Sequence, residues 1–166
     1  VWQFENNLPL YHILIPFQAV FYYLIFRSVI RNPKAKKVAL FLVLLTLLTS
    51  LGLSFQYGLN TFPSLNLSVL SLYIIGFSLH LFYQLVQNPS EQSLFRLPDF
   101  WFALGNLIFF AGAFMIFTLL QILIINDLNR PQYIYDVILV LNYFLYTSYV
   151  VSIYVCTRKL EVIDGQ

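Results

Sequence analysis

Long apolar stretches alternate with short polar segments along the chain, and residues 100–126 show the pattern most clearly. These positions contain no Asp, Glu, Lys or Arg, and Asp99 and Asp127 bracket them. As a helix the stretch would be ~40 Å long, enough to cross a hydrocarbon layer of ~30 Å with some tilt. A soluble helix of that length would need a polar face, which this one lacks. The pattern therefore predicts a membrane span.

Three further charge-free stretches cover residues 6–26, 38–90 and 137–157. The middle one is too long for a single span, and the turn-forming Gly58, Pro63 and Ser64 divide it into two. Pro16 is expected to kink the first helix. We therefore predict an all-α, polytopic transmembrane helix bundle with five visible spans in one transmembrane domain, residues 1–166. The predicted spans cover residues 8–26, 38–57, 65–86, 99–125 and 133–157.

Composition supports a membrane protein. The chain is 60% hydrophobic and 10% charged, with a mean hydropathy of +0.77. Ordinary soluble domains are about 25% charged, so this composition cannot provide a water-exposed surface. The single cysteine, Cys156, excludes an internal disulfide framework and any metal site built from several cysteines.

The positive charges predict the orientation. If the first loop is cytoplasmic, so are the third loop and the C-terminus, and all but Arg130 of the 9 Lys and Arg residues lie on that side. Such a bias predicts an outside N-terminus and an inside C-terminus. An odd number of spans with an outside N-terminus leads us to expect upstream spans or a cleaved signal. The expected location is the bacterial cytoplasmic (inner) membrane.

The first loop concentrates the positive charge. It is expected to attract anionic lipid headgroups. A topology signal alone explains it, and the sharper alternative is a docking site for an acidic cytoplasmic partner. The five basic residues of this loop are Arg27, Arg31, Lys34, Lys36 and Lys37.

Polar residues recur at helical spacing on the third span. The candidate face consists of Tyr73, Gly76, His80 and Gln84, and Asn66 falls on the same side. Polar groups in hydrocarbon normally face a bundle interior or a wet cavity. The face is therefore either a ligand pocket with a proton-responsive site around His80 or an interhelical hydrogen-bond seam.

Two other spans carry candidates of the same kind. On the fifth span, Asn142 and Tyr146 lie close to one face, and Asn142 needs a partner near mid-membrane. On the fourth span, Gly105, Gly112 and Ala113 form a stripe of small residues that lets a neighbouring helix approach closely. The alternative for this stripe is a surface against which a flat molecule lies.

Several classes of chemistry find no support in the residues. No lysine lies within a span, which excludes a retinal Schiff base there, and phosphate loops, nucleophile elbows and zinc-protease motifs are absent. His12 and His80 are predicted to lie about half a bilayer apart in depth, so both cannot hold one haem. Ligation of a haem or pigment by one histidine stays open. We expect no enzyme, no cofactor, no metal site and no nucleic-acid partner.

Three segments carry a resemblance to a known family. They are residues 97–105 (LPDFWFALG), residues 109–112 (FFAG) and residues 7–12 (NLPLYH). In them the chain resembles uncharacterised bacterial multi-span inner-membrane proteins that have additional N-terminal spans. Members of that family look like sensory modules working with a separate histidine kinase. The resemblance implies a sensor role and supplies no catalytic residues.

The leading functional hypothesis is accordingly a non-enzymatic membrane sensor or signal-coupling module that passes a signal to a cytoplasmic partner. The main alternative is a structural or accessory subunit of a larger membrane complex. A permease for a small neutral solute is the third possibility.

Overall fold

Five long helices make up nearly all of the computed structural model, which describes residues 8–87, 93–126 and 133–164. A single 3₁₀ turn, Leu94–Arg96, precedes the fourth helix, and the described residues contain no strand. The helices are α1 (Leu8–Val29), α2 (Pro33–Tyr57), α3 (Ser64–Gln87), α4 (Pro98–Ile125) and α5 (Tyr133–Asp164).

Each of the five helices contains a segment long and apolar enough to cross a membrane. The prediction of an all-α, five-span membrane fold is therefore confirmed, and the chain is a multi-pass integral membrane protein. All five helices extend beyond the predicted spans. The largest extensions are those of α2, which begins at Pro33, and α5, which continues to Asp164. The reason is physical, because a charge-free run marks the part of a helix suited to lipid, whereas Lys and Arg continue a helix readily in water.

The start of α2 illustrates this extension. Asn32 is the N-cap, and its side-chain oxygen accepts a hydrogen bond of 2.9 Å from the backbone N–H of Lys34. Pro33 occupies the first turn, where its missing N–H costs nothing. The last three basic residues of the first loop therefore belong to the first turns of a helix.

By packing, the chain divides into two compact units. Unit 1 contains residues 1–73 and 114–130, and unit 2 contains residues 74–113 and 131–166. The boundaries fall within α3 and α4. The single transmembrane domain expected from the sequence stays a prediction.

In unit 1, α1 packs against α2, and each helix buries one stripe of residues at steps of three and four. The α2 stripe contains small side chains, among them Ala39 and Ser50, as is usual between membrane helices, whereas the α1 stripe is mostly large. We call this pair the α1–α2 hairpin. The buried residues are His12, Ile15, Ala19, Tyr22 and Phe26 on α1, and Ala39, Val43, Thr46 and Ser50 on α2.

In unit 2, the first part of α4 packs against α5 in the antiparallel sense. Gly105 faces Ser148, and Gly112 faces Leu141. A Cβ added to Gly105 would lie 2.6 Å from the Ser148 Cβ, and one added to Gly112 would lie 2.6 Å from the Leu141 Cδ1. Gly105 thus lies directly against the Ser148 Cβ, which a side chain at Gly105 would displace, whereas Gly112 lies against the end of the Leu141 side chain. Ala113, the third residue of the small stripe, is completely buried.

Hydrogen bonds reinforce the same contact. The Tyr149 hydroxyl donates to Asn106 Oδ1 at 2.7 Å, and Ser152 Oγ donates to the Pro98 carbonyl at 2.9 Å. The Asn106 Nδ2 donates to a carbonyl of its own helix at 2.8 Å, and Asn106 is fully buried. The amide therefore satisfies both its donor and its acceptor in an apolar setting, where an unpaired group would be costly.

Candidate functional site

A cavity of about 110 Å³ lies in unit 1, where α1 begins, α2 ends and α3 begins. An engineered cavity of about 150 Å³ in another protein binds benzene, and a single water needs about 10–15 Å³. The volume is therefore large enough for several waters or a small organic molecule. Its polar lining comes from His12, Tyr57, Thr61, Ser64, Asn66 and Gln121.

His12 joins three segments of unit 1 at this cavity. Its Nδ1 lies 2.7 Å from the Ser54 hydroxyl on α2, and its Nε2 lies 3.0 Å from the Thr61 carbonyl oxygen. Because a carbonyl only accepts, Nε2 carries a proton, and in the neutral ring Nδ1 accepts from Ser54. Both nitrogens are occupied, so His12 cannot ligate a metal without giving up a hydrogen bond.

The segment joining α2 to α3, which we call the 58–63 loop, forms part of the cavity wall. Gly58 has φ +78°, a backbone conformation suited to glycine, and its N–H donates to the Ser54 carbonyl at 3.0 Å. The Thr61 hydroxyl donates to the Gly58 carbonyl at 3.0 Å. The loop thus has a defined shape of its own, which His12 connects to α1.

Aromatic rings make a second attachment of the loop. The Phe62 ring lies 5.8 Å from that of Tyr11 on α1 and 6.3 Å from that of Phe117 on α4, measured between centroids. Both distances are within the range of attractive ring pairs. Ser64 and Gln121 also line the cavity, and Ser64 Oγ donates a hydrogen bond to Gln121 Oε1 of α4.

Asn66 is the unusual residue of the cavity wall. Its side chain is 2% exposed, and neither Nδ2 nor Oδ1 has a hydrogen-bond partner among the described residues. Leaving a buried donor or acceptor unpaired costs about 1–3 kcal/mol each. Both atoms are closed off from water-sized molecules, so the amide is packed inside the protein and does not open onto the cavity.

The face predicted on α3 does not line this cavity. Tyr73, in unit 1, is 5% exposed. Within unit 2, Gly76 is exposed, whereas His80 and Gln84 are half-buried. The His80 Nε2 is buried without a hydrogen-bond partner among the described residues, and the His80 ring lies 6.3 Å from the ring of Tyr83. The ligand pocket and the polar seam both stay predictions for these residues.

The two candidates on α5 lie in unit 2 and also outside the cavity. The half-buried Asn142 donates from Nδ2 to the Ile138 carbonyl of its own helix at 3.0 Å, while Tyr146 is 60% exposed. The partner that Asn142 was expected to need is thus supplied in part by its own backbone.

The five basic residues lie at the end of the α1–α2 hairpin opposite the cavity, because α1 ends and α2 begins there. Four of them are exposed and Lys36 is half-buried. α1 alone spans ~33 Å at ~1.5 Å per residue, so the hairpin connects two well-separated ends of unit 1.

Sequence reasoning missed the role of His12, which it considered only as a haem ligand. His12 pairs with residues 42 and 49 positions away, and no local pattern predicts such contacts. Asn66 was noticed through its spacing, but it was grouped with the face on α3. One signal in the sequence could have related them: His12 and Asn66 both lie in the first turns of their helices, α1 and α3.

No family model, no curated protein and no solved structure matches the chain. The function therefore has to be inferred from the contacts and the cavity of the chain itself.

Proposed function

We propose that the protein is a non-enzymatic membrane sensor or signal-coupling module whose input site is the cavity of unit 1. The single observation that carries the proposal is that His12 connects α1, α2 and the 58–63 loop around a cavity. Anything that occupies the cavity contacts this loop. A change of occupancy can therefore shift the loop and, through His12, the first turns of α1.

Pro16 gives α1 a natural bending point. It lies inside the helix, one turn after His12, and it has no N–H to donate to the His12 carbonyl. The first turns of α1 are therefore joined to the rest of the helix by one hydrogen bond fewer. A displacement of the His12 side chain would therefore bend α1 at Pro16.

The output is proposed to be the basic end of the α1–α2 hairpin. Its exposed Lys and Arg side chains would contact anionic headgroups or an acidic cytoplasmic partner. This arrangement agrees with the orientation proposed from the charge bias, with the cavity outside and the basic end inside a bacterial cytoplasmic membrane.

The experiment measures whether the two ends are coupled. In a Cys156→Ser background, a spin label is placed at Leu59 in the loop or at Ser28 near the basic end, both exposed. His12→Leu removes both hydrogen bonds of the ring. We expect altered label mobility at both positions in lipid nanodiscs.

Thr49→Val is the matched control. It removes a hydroxyl that only donates to the Thr46 carbonyl of its own helix, at 3.0 Å. It should leave both spectra unchanged. If His12→Leu alters the label at Leu59 but not the one at Ser28, the ends are independent and the proposal is wrong.

A second candidate function, an accessory subunit of a larger complex, is favoured by the surface of α5. Within the most apolar part of this helix, only 11% of the residues are buried by the rest of the described chain. One face at steps of three and four contains Tyr143, Tyr146, Val150 and Ile153, each at least 60% exposed. Tyrosine hydroxyls within hydrocarbon gain from a protein partner that accepts their hydrogen bonds.

A photo-crosslinking residue at Tyr146, used in native membranes, separates the two candidates. A subunit should give one adduct of defined mass, whereas the same residue at the exposed Met115 of α4 serves as the lipid-facing reference. Lipid adducts alone at both positions would contradict the subunit function.

A further inference from the structure

We infer that the short turn before α4 binds the phospholipid interface, with the Leu94 and Phe95 side chains among the lipid chains and Arg96 at the lipid phosphates. Residues 94–101 are called the aromatic turn below. The inference goes beyond the proposed sensor function and does not depend on it. All of its evidence lies within unit 2.

The first step concerns position. Only Leu97 separates the 3₁₀ turn from Pro98, where α4 and its segment suited to crossing a membrane both begin. The backbone hydrogen bonding runs on between them, since the Leu97 N–H donates to the Leu94 carbonyl at 3.0 Å and the Phe100 N–H donates to the Leu97 carbonyl at 3.1 Å. The turn is therefore attached to the end of a span, at the depth where headgroups meet the lipid chains.

The second step concerns rigidity. The Trp101 Nε1 donates to the Phe95 carbonyl at 2.9 Å, which closes the turn onto the first residues of α4. The Phe95 ring lies 5.4 Å from the Phe100 ring and 6.2 Å from the Trp101 ring, between centroids. The Phe100 ring in turn lies 5.7 Å from that of Phe82 on α3. These distances suit attractive ring pairs, so Phe95 is held in place before any lipid binds.

The third step concerns exposure. Despite these contacts Phe95 is 64% exposed and Leu94 is 44% exposed, and the adjacent Arg96 is exposed as well. In water the apolar side chains would remain unfavourably hydrated, and at the centre of the hydrocarbon the guanidinium would be costly. The interface suits both, because aromatic rings favour that depth and a long Arg stem can follow the apolar layer while its charge stays at the phosphates.

The first test identifies what the turn contacts. A benzoylphenylalanine residue at Phe95 retains an aromatic ring and crosslinks to its neighbours on illumination. We expect phospholipid adducts of the peptide that contains residue 95, both in native membranes and with the purified full chain in phospholipid vesicles. A major adduct of protein mass in native membranes would assign the surface to a protein partner and overturn the inference, as would the absence of lipid adducts in vesicles.

The second test measures depth. In a Cys156→Ser background, a spin label at Leu94→Cys is compared with labels at Met115→Cys, exposed on α4, and at Lys34→Cys, exposed at the start of α2. Oxygen concentrates in lipid and a nickel chelate stays in water. In lipid nanodiscs we expect the label at Leu94 to collide with nickel less than the label at Lys34 and with oxygen less than the label at Met115. Nickel collisions equal to those at Lys34 would place the turn in water and contradict the inference.

Variants assign the depth to the ring of Phe95. Phe95→Ser should raise the nickel collisions of the label at Leu94 towards the Lys34 value, because the apolar group that enters the lipid is lost. Phe95→Leu keeps an apolar group and should largely preserve the depth. Phe55→Ser, the same substitution at an 89% exposed ring on α2, should leave the label unchanged. Equal effects of Phe95→Ser and Phe55→Ser would overturn the assignment, and the crosslinking result stands by itself if Phe95→Ser fails to fold.

Discussion

The close approach of α4 and α5 in unit 2 predicts an unequal response of two glycines to the same small substitution. In Gly105→Ala the new methyl group would lie 2.6 Å from the Ser148 Cβ and 3.1 Å from its Oγ. Favourable contacts between carbon atoms are about 3.5–4.0 Å. The Ser148 Cβ is bonded directly to the backbone, so the two helices must move apart.

The magnitude follows from two opposing terms. Inserting a methyl group into a tightly packed contact typically costs about 1–3 kcal/mol. Replacing Gly by Ala inside a helix contributes about 1 kcal/mol in the other direction. We therefore expect Gly105→Ala to lower the free energy of unfolding by roughly 1 kcal/mol net, which corresponds to a Tm decrease of roughly 2–4 °C for a chain of this length.

Gly112→Ala is the matched comparison. Its new Cβ would meet the Leu141 Cδ1 at 2.6 Å, which is the end of a side chain that can rotate away. The packing cost should then be small, and the helix-propensity gain should leave the stability unchanged or slightly raised. Thermal unfolding in detergent, followed by the circular-dichroism signal of the helices, measures both variants under the same conditions.

A double-mutant cycle identifies the contact responsible. Ser148→Gly removes the atoms that the Gly105→Ala methyl group meets, so the loss from Gly105→Ala should largely disappear in the Ser148→Gly background. The reasoning is refuted if both glycine variants lose the same stability, or if the loss from Gly105→Ala is unchanged in that background.

Three other predictions concern single contacts. Tyr149→Phe should lower the free energy of unfolding by about 0.6–1.7 kcal/mol, because it leaves Asn106 Oδ1 unpaired, and thermal unfolding measures the loss. Tyr154→Phe, at an exposed position, is the control. His12→Leu should speed amide hydrogen exchange in the 58–63 loop, and unchanged rates would show that the ring does not restrain it. For orientation, in a Cys156→Ser background an impermeant maleimide applied to intact cells should label Leu59→Cys but not Lys34→Cys, both exposed positions at opposite ends of the hairpin, and the reverse pattern would invert the topology.

The five spans could be predicted because their cause is local. A long run of apolar residues without charge has few alternatives to a helix in lipid, since every backbone N–H and C=O group must be paired within the segment. The ends of α2 and α5 were harder to predict. Lys34 and Arg158 mark where a helix leaves lipid, not where its hydrogen bonding stops, and both helices include them.

The cavity could not be predicted because it depends on contacts between distant segments. The spacing of Tyr73 and His80 suggested one continuous polar face, yet the two residues belong to different packing units. Conversely, nothing in the local pattern relates His12 to Thr61. A periodic pattern identifies which residues share a face of one helix, and only packing decides which faces meet.

The length of α5 determines how the last turns of the helix, beyond Arg158, are oriented. The helix covers Tyr133–Asp164, ~48 Å at ~1.5 Å per residue, so it is longer than the hydrocarbon layer is thick. Its terminal turns therefore continue the helical phase of the span beyond Arg158. Inserting one alanine there would rotate all later residues by ~100° about the axis, whereas four would return them to within ~40° of their original direction. Because the helix is continuous, the membrane-spanning part of α5 fixes the direction in which the residues after Arg158 project around the helix axis.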